Sequence, residues 1–182
     1  METFIEYSQR LKKEIKNNPA IIHGIKLCFL DGIDPFQKGT EHEIYTLGKT
    51  VSGNYLALRQ KKFSMDIKNE IERFEIYCQN AETLANSKAK NLFNHRPESP
   101  KFCIGVIYQS KEVGIITEDM SEGGKYEMTN DMADYYSERK LNGEVIDEVF
   151  VDLDSCRPDN YFNDSEVIST TPYFSAENVL KV

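Results

Sequence analysis

The sequence predicts an α+β fold: a five-stranded antiparallel sheet with one long helix, followed by a short C-terminal hairpin and loop region. Three observations carry this. Short apolar runs separated by turn formers recur between residues 21 and 60. A helical stretch follows, in which Ile67, Ile71, Phe74, Cys78, Ala81 and Ala85 step by four and three along one face. Two further strand-like runs, 102–108 and 113–117, are split by Gln109-Ser110-Lys111 and read as a hairpin.

Each element has its own signal. Thr3-x-x-Glu6 has the form of a capping box, and Phe4, Tyr7, Leu11 and Ile15 then recur at helical spacing. Asn17-Asn18-Pro19 stops that helix. Residues 21–30 are apolar and read as the first strand. Residues 31–40 are dense in turn formers, 42–47 read as a second strand, and Tyr55–Gln60 as a third after the turn Val51-Ser52-Gly53-Asn54. On the long helix, Glu70 lies beside the apolar face and Glu72 points away from it. Residues 91–100 form a loop with two prolines. Residues 118–124 are polar and end in a glycine pair, as a connector would. Residues 129–140 carry at most a weak helical pattern. Asn142-Gly143 is a hairpin turn signal, and 145–153 is an apolar strand that runs out at Asp152 and Asp154. A carboxylate at the end of a buried strand needs a cation, a metal or hydrogen-bond donors opposite it.

Composition narrows the function classes. A chain of 182 residues holds one domain or slightly more. No apolar run approaches a membrane span, and the N-terminus lacks the basic start and apolar stretch of a secretory signal. Cys28, Cys78, Cys103 and Cys156 form no C-x-x-C pair, and His23, His42 and His95 show no ligand spacing. This favours a reducing, cytoplasmic setting without a zinc site or disulfide framework. The net charge of −8 is uneven: residues 112–166 hold 16 Asp/Glu against 4 Lys/Arg, whereas residues 1–111 are net basic. Nucleic acid is a poor partner for such a chain, and membrane contact is not expected. The acidic half reads as a solvated face or as a surface for a basic protein partner.

Two motifs fail on context. Gly48-Lys49-Thr50 has the ending of a phosphate-binding loop, but Glu43 stands where that loop needs its first glycine. Asp152-Leu153-Asp154 has the D-x-D form of HAD phosphatases, but only 28 residues follow it, too few to build their parallel sheet. The two aspartates remain candidate ligands for Mg²⁺ or Mn²⁺, completed by water or phosphate.

The order of elements is more informative. Three strands, a long helix, two strands and a glycine-bearing connector resemble the small lobe of a protein kinase and its hinge. Tyr55-Leu56-Ala57-Leu58-Arg59-Gln60 looks like the strand that carries the nucleotide-binding lysine, with Arg59 in the lysine's place. Glu70 falls where the family keeps its ion-pair glutamate. Ile115-Ile116-Thr117-Glu118-Asp119-Met120 with Gly123-Gly124 looks like the last strand and hinge. Val151-Asp152-Leu153-Asp154 is similar to the metal-binding Asp-Phe-Gly segment, and residues 171–180 look like the end of an activation segment.

The resemblance implies three parts: an N-terminal amphipathic helix (1–19), a small-lobe-like domain (20–120) and an acidic, reduced C-terminal part packed on it (121–182). It also implies a cleft where Arg59, Glu70 and Asp152 converge on nucleotide, with Asp152 and Asp154 on metal. ATP with Mg²⁺ or Mn²⁺ is the ligand such a cleft would take. The chain has no G-x-G-x-x-G and no His-Arg-Asp catalytic loop before Asp152. An arginine in the lysine's place is not conservative at a phosphate site. The expectation is therefore a non-catalytic regulatory or interaction module, in which an Arg59–Asp152 pair stands where nucleotide would lie. The alternative is a divergent phosphoryl- or nucleotidyl-transferase using Asp152 and Asp154. The plainest reading is that these aspartates only cap a loop.

Overall fold

A six-stranded sheet carries the fold of the computed structural model, which describes residues 2–38, 42–60, 66–86, 98–129, 136–151, 153 and 172–182. In chain order the described elements are α1 (Phe4–Lys16), α2 (Pro19–Phe29), β1 (Gln37–Lys38), β2 (Glu43–Lys49), β3 (Tyr55–Gln60), α3 (Ile67–Asn86), β4 (Cys103–Tyr108), β5 (Glu112–Glu118), β6 (Glu127–Met128), β7 (Tyr136–Leu141), β8 (Glu144–Phe150) and β9 (Val179–Lys181). The main sheet runs β1-β2-β3-β5-β4-β9, and β6-β7-β8 form a second, smaller sheet. The fold is therefore α+β. The five antiparallel strands are present, extended by β9, which pairs parallel to β4.

The capping box at α1 is complete: Glu6 N–H donates to Thr3 Oγ1 (3.2 Å) and Thr3 N–H donates to Glu6 Oε2 (2.9 Å). The first expected strand, residues 21–30, is instead α2. Asn18 caps it by accepting the Ile21 N–H at 3.2 Å, and Pro19 opens the first turn. Its buried residues Ile21, Ile25, Cys28 and Phe29 share one helical face. A short apolar run has no period that separates a buried helix from a buried strand. The meander therefore starts at the two-residue β1. Residues 136–141, placed at the end of a weak helix by the sequence, form strand β7. The Asn-Gly turn closes the β7–β8 hairpin, with Asn142 and Gly143 at φ +53° and +83°.

Strand alternation gives the main sheet two buried faces. Leu56, Leu58, Ile104, Val106 and Ile116 pack against Leu11, Ile15, Ile21 and Ile25 of the first two helices. On the other face Cys103 and Ile115 meet Phe74, Tyr77, Cys78 and Ala81 of α3. The face of α3 is rotated from the sequence reading: Ile67 and Ala85 are exposed, whereas Tyr77 and Leu84 are buried. Phe150, Leu153 and Tyr173 join this second cluster. Each fully buried large side chain contributes about 1.5–3 kcal/mol. Tyr173 and Phe174 reach this face, and Val179–Lys181 then form the edge strand β9.

Candidate functional site

The α3 side of the sheet holds the polar groups of interest. Ala57 and Arg59 alternate with Leu56 and Leu58 on β3, so they point away from α1 and α2. Ala57 lies opposite Thr117, and Ile44 opposite Arg59. His42, two residues before Ile44, shares that face diagonally from Arg59. Glu70, in the first turn of α3, is buried.

His42 brings the last two together. Its Nδ1 lies 3.4 Å from Arg59 Nη2, and its Nε2 lies 3.5 Å from Glu70 Oε2. Both contacts are long. A guanidinium only donates, so Nδ1 is the acceptor and the ring N–H sits on Nε2, facing the Glu70 carboxylate. The Arg59 guanidinium also lies 5.9 Å from the centre of the Tyr77 ring. Tyr77 is buried, and its hydroxyl lies 3.2 Å from Thr117 Oγ1. Burial pushes the Tyr77 hydroxyl well above the ordinary tyrosine range.

A cavity of about 980 Å³ opens beside this cluster. Ile44, Ala57, Arg59, Tyr77 and Thr117 form one wall, and Tyr126, Met128, Lys140, Phe150 and Val151 form another. Its size is at the upper end for small-molecule sites, and its walls mix apolar surface with the charged residues Arg59, Glu118, Asp119, Lys125, Glu127 and Lys140. Phe36 stands half-exposed at its edge, over Gly124.

The connector after β5 forms the cavity's third side and is held rigidly. Asp119 Oδ1 accepts from Ser121 N–H (3.0 Å) and Ser121 Oγ–H (2.6 Å), and Oδ2 accepts from Gly123 N–H (2.9 Å). Glu122, Gly123 and Gly124 all have φ between +50° and +90°, a run that the glycine pair makes affordable. Arg139 of β7 then locks the connector to the second sheet. It pairs through two nitrogens with Asp147, donates to Met120 O at 3.1 Å and lies 4.9 Å from the Tyr126 ring centre.

Of the site residues expected from sequence, the structure gathers Arg59 and Glu70 around His42. Asp152 and Asp154 lie outside the described residues. Their neighbour Val151 lines the cavity, and Leu153 is buried against α3, where its carbonyl accepts from Asn80 Nδ2. Among the described residues no group of three or more His, Cys, Asp or Glu could hold a metal. Sequence reasoning missed His42, Tyr77 and Arg139. His42 lacked ligand spacing, and Tyr77 sits between two expected core positions. Only the register of β2 on β3 places His42 beside Arg59. No described helix is long and apolar enough to cross a membrane. Comparison of the chain with protein-family models, curated proteins and solved structures found no match.

Proposed function

We propose that this chain is a degenerate kinase-like module that does not transfer phosphoryl groups and serves as a regulatory or interaction protein. One observation carries the reading: Arg59, in the place of a nucleotide-binding lysine, is engaged by His42 and lies over the Tyr77 ring. A cation held this way is occupied by protein rather than by phosphate. The order of β1, β2, β3, α3, β4 and β5 supports the kinase-like part of the proposal. Phosphoryl transfer is mostly positioning, and the sequence lacks the catalytic loop that would position an acceptor. In this reading Asp152 adds a further carboxylate to the Arg59 cluster and replaces nucleotide there.

The cavity favours a second reading, a divergent metal-dependent phosphoryl- or nucleotidyl-transferase using Asp152 and Asp154, because about 980 Å³ beside Arg59 can accommodate a nucleotide. Thermal-shift titration with ATP plus Mg²⁺ or Mn²⁺ separates the two. A ligand at one hundred times its Kd stabilises the fold by about 2.7 kcal/mol, a rise in Tm of roughly 5–11 °C for a domain of this size. The first reading expects no saturable shift. A saturable shift, with label transfer from ATP that Asp152→Ala abolishes, would establish the second.

A further inference from the structure

The cavity beside Arg59 has a lining that selects its ligand by charge. Among the described residues it draws on the cations Arg59, Lys125 and Lys140 and the carboxylates Glu118, Asp119 and Glu127. Each already faces a protein group. Arg59 lies against His42 and the Tyr77 ring. Asp119 accepts from Ser121 and Gly123, and Glu118 accepts from the Lys101 N–H. Lys125 lies 4.0 Å from Glu122, and Glu127 stands opposite Lys140 in the β6–β7 register. A charged ligand would lose hydration on entry and meet opposite charges that are already engaged. A neutral ligand avoids that cost.

The uncharged part of the lining is aromatic and sulfur-bearing. Tyr126 and Phe150 share it with Met120 and Met128, side chains that pack favourably on flat rings. Phe36 stands half-exposed at the mouth, so a ligand that covers it removes apolar surface from water. One polar point lies in the wall. The Tyr77 hydroxyl and Thr117 Oγ1 are 3.2 Å apart, and two hydroxyls that share one bond leave one O–H to serve a ligand. Apolar walls with a few placed polar groups are the usual form of a small-molecule site.

We infer that this cavity binds a neutral, flat aromatic molecule of two or three fused rings. Its rings face the aromatic and methionine side chains, and one polar atom bonds to the Tyr77–Thr117 pair. The inference rests on the non-catalytic reading, in which Arg59 is engaged by protein and takes no phosphate. It adds to that reading the class of ligand through which the module senses its surroundings.

A set of fused-ring aromatic fragments tests it, each made as a neutral amide, a carboxylate and an amine, and titrated into the full chain labelled at its methyl groups. Amides should bind saturably and at least about tenfold more tightly than their charged counterparts. They should shift the Met120, Met128 and Ile44 methyls and leave Ile21 and Ile25, on the other face of the sheet, unmoved. Ala57→Leu, which fills the cavity, should weaken binding at least about tenfold. Phe36→Ala changes only a half-exposed ring at the mouth, so it keeps the fold and should weaken binding about threefold or more. The inference is overturned if no amide binds, if the carboxylates or amines bind equally well, or if both variants bind like the parent. ATP with Mg²⁺ forms a separate arm. Saturable binding there overturns the non-catalytic reading, whereas a lack of amide binders overturns this inference, so the two failures are told apart.

Discussion

Gly105 on β4 offers a quantitative test of how the C-terminal segment packs. A Cβ added there would lie 3.0 and 3.1 Å from two ring carbons of Phe174 and 3.4 Å from Phe74 Cζ. Ordinary contacts of this kind begin near 3.4 Å, so Gly105→Ala forces the Phe174 ring back by a few tenths of an ångström. That ring packs edge-on against Phe74 at 5.3 Å between centres. Gly105 is not among the residues with positive φ, so alanine meets no backbone penalty. Two effects then compete. Alanine restricts the unfolded chain and stabilises by about 0.4–1 kcal/mol. Overpacking costs about 1–3 kcal/mol. The steric effect wins, and the net loss should be about 0.5–2 kcal/mol, measured by urea unfolding.

The double variant makes the test specific. Phe174→Ala alone loses the ring's burial and an aromatic pair worth about 0.5–1.5 kcal/mol. Once that ring is gone, the alanine Cβ at 105 has room. Gly105→Ala in the Phe174→Ala background should therefore stabilise by about 0.4–1 kcal/mol, a coupling of about 1–3 kcal/mol against simple addition. Additivity within about 0.5 kcal/mol would refute the packing of residues 173–174 on β4 and α3.

Three further outcomes follow from the same structure. Tyr173 donates its buried hydroxyl to Glu82, so Tyr173→Phe should cost about 1–3 kcal/mol in urea unfolding by removing a donor from a buried carboxylate. Burial holds the Glu118 carboxyl above the ordinary carboxylate range, with Lys101 opposing. The folded state then binds protons more tightly than the unfolded state, so this group's contribution to stability falls as pH rises from the ordinary glutamate range through its raised value. Glu118→Gln keeps an acceptor for the Lys101 N–H at 3.2 Å and should remove that slope, which unfolding across pH measures. Arg139→Lys keeps the charge but loses the fork that holds Asp147 and the Met120 carbonyl. Amide exchange should quicken across residues 120–128 and stay unchanged on β4 and β5.

The fold was legible where local chemistry decided it. The Thr3 and Glu6 capping box, the Gln109–Lys111 break between β4 and β5 and the Asn142-Gly143 turn each act within four residues. The α2 helix was misread because Asn17-Asn18-Pro19 does two things at once. Asn17 ends α1, and Asn18 with Pro19 starts α2 one residue later. Read as a stop alone, it left the apolar run of residues 21–30 without a start signal. The parallel pairing of β9 with β4 joins residues more than 70 apart, and no local pattern encodes it. On α3, the wider buried face includes Glu70, Tyr77 and Glu82, whose polar atoms hid them from an apolar count.

The candidate site divides along the same line. Arg59 was legible because β3 has sequence character of its own. Its described partner was not, because register determines it. With Ile44 opposite Arg59, side-chain alternation turns His42 to the cavity face, diagonal to the guanidinium. A slip of one residue would turn His42 to the α1–α2 face and leave Arg59 without this contact. His42 accepts from Arg59 on one side and faces the Glu70 carboxylate on the other, so it bridges strand and helix. Arg59 and Glu70 are thereby joined through the His42 ring. That link, more than the missing motifs, is what the proposed non-catalytic reading rests on.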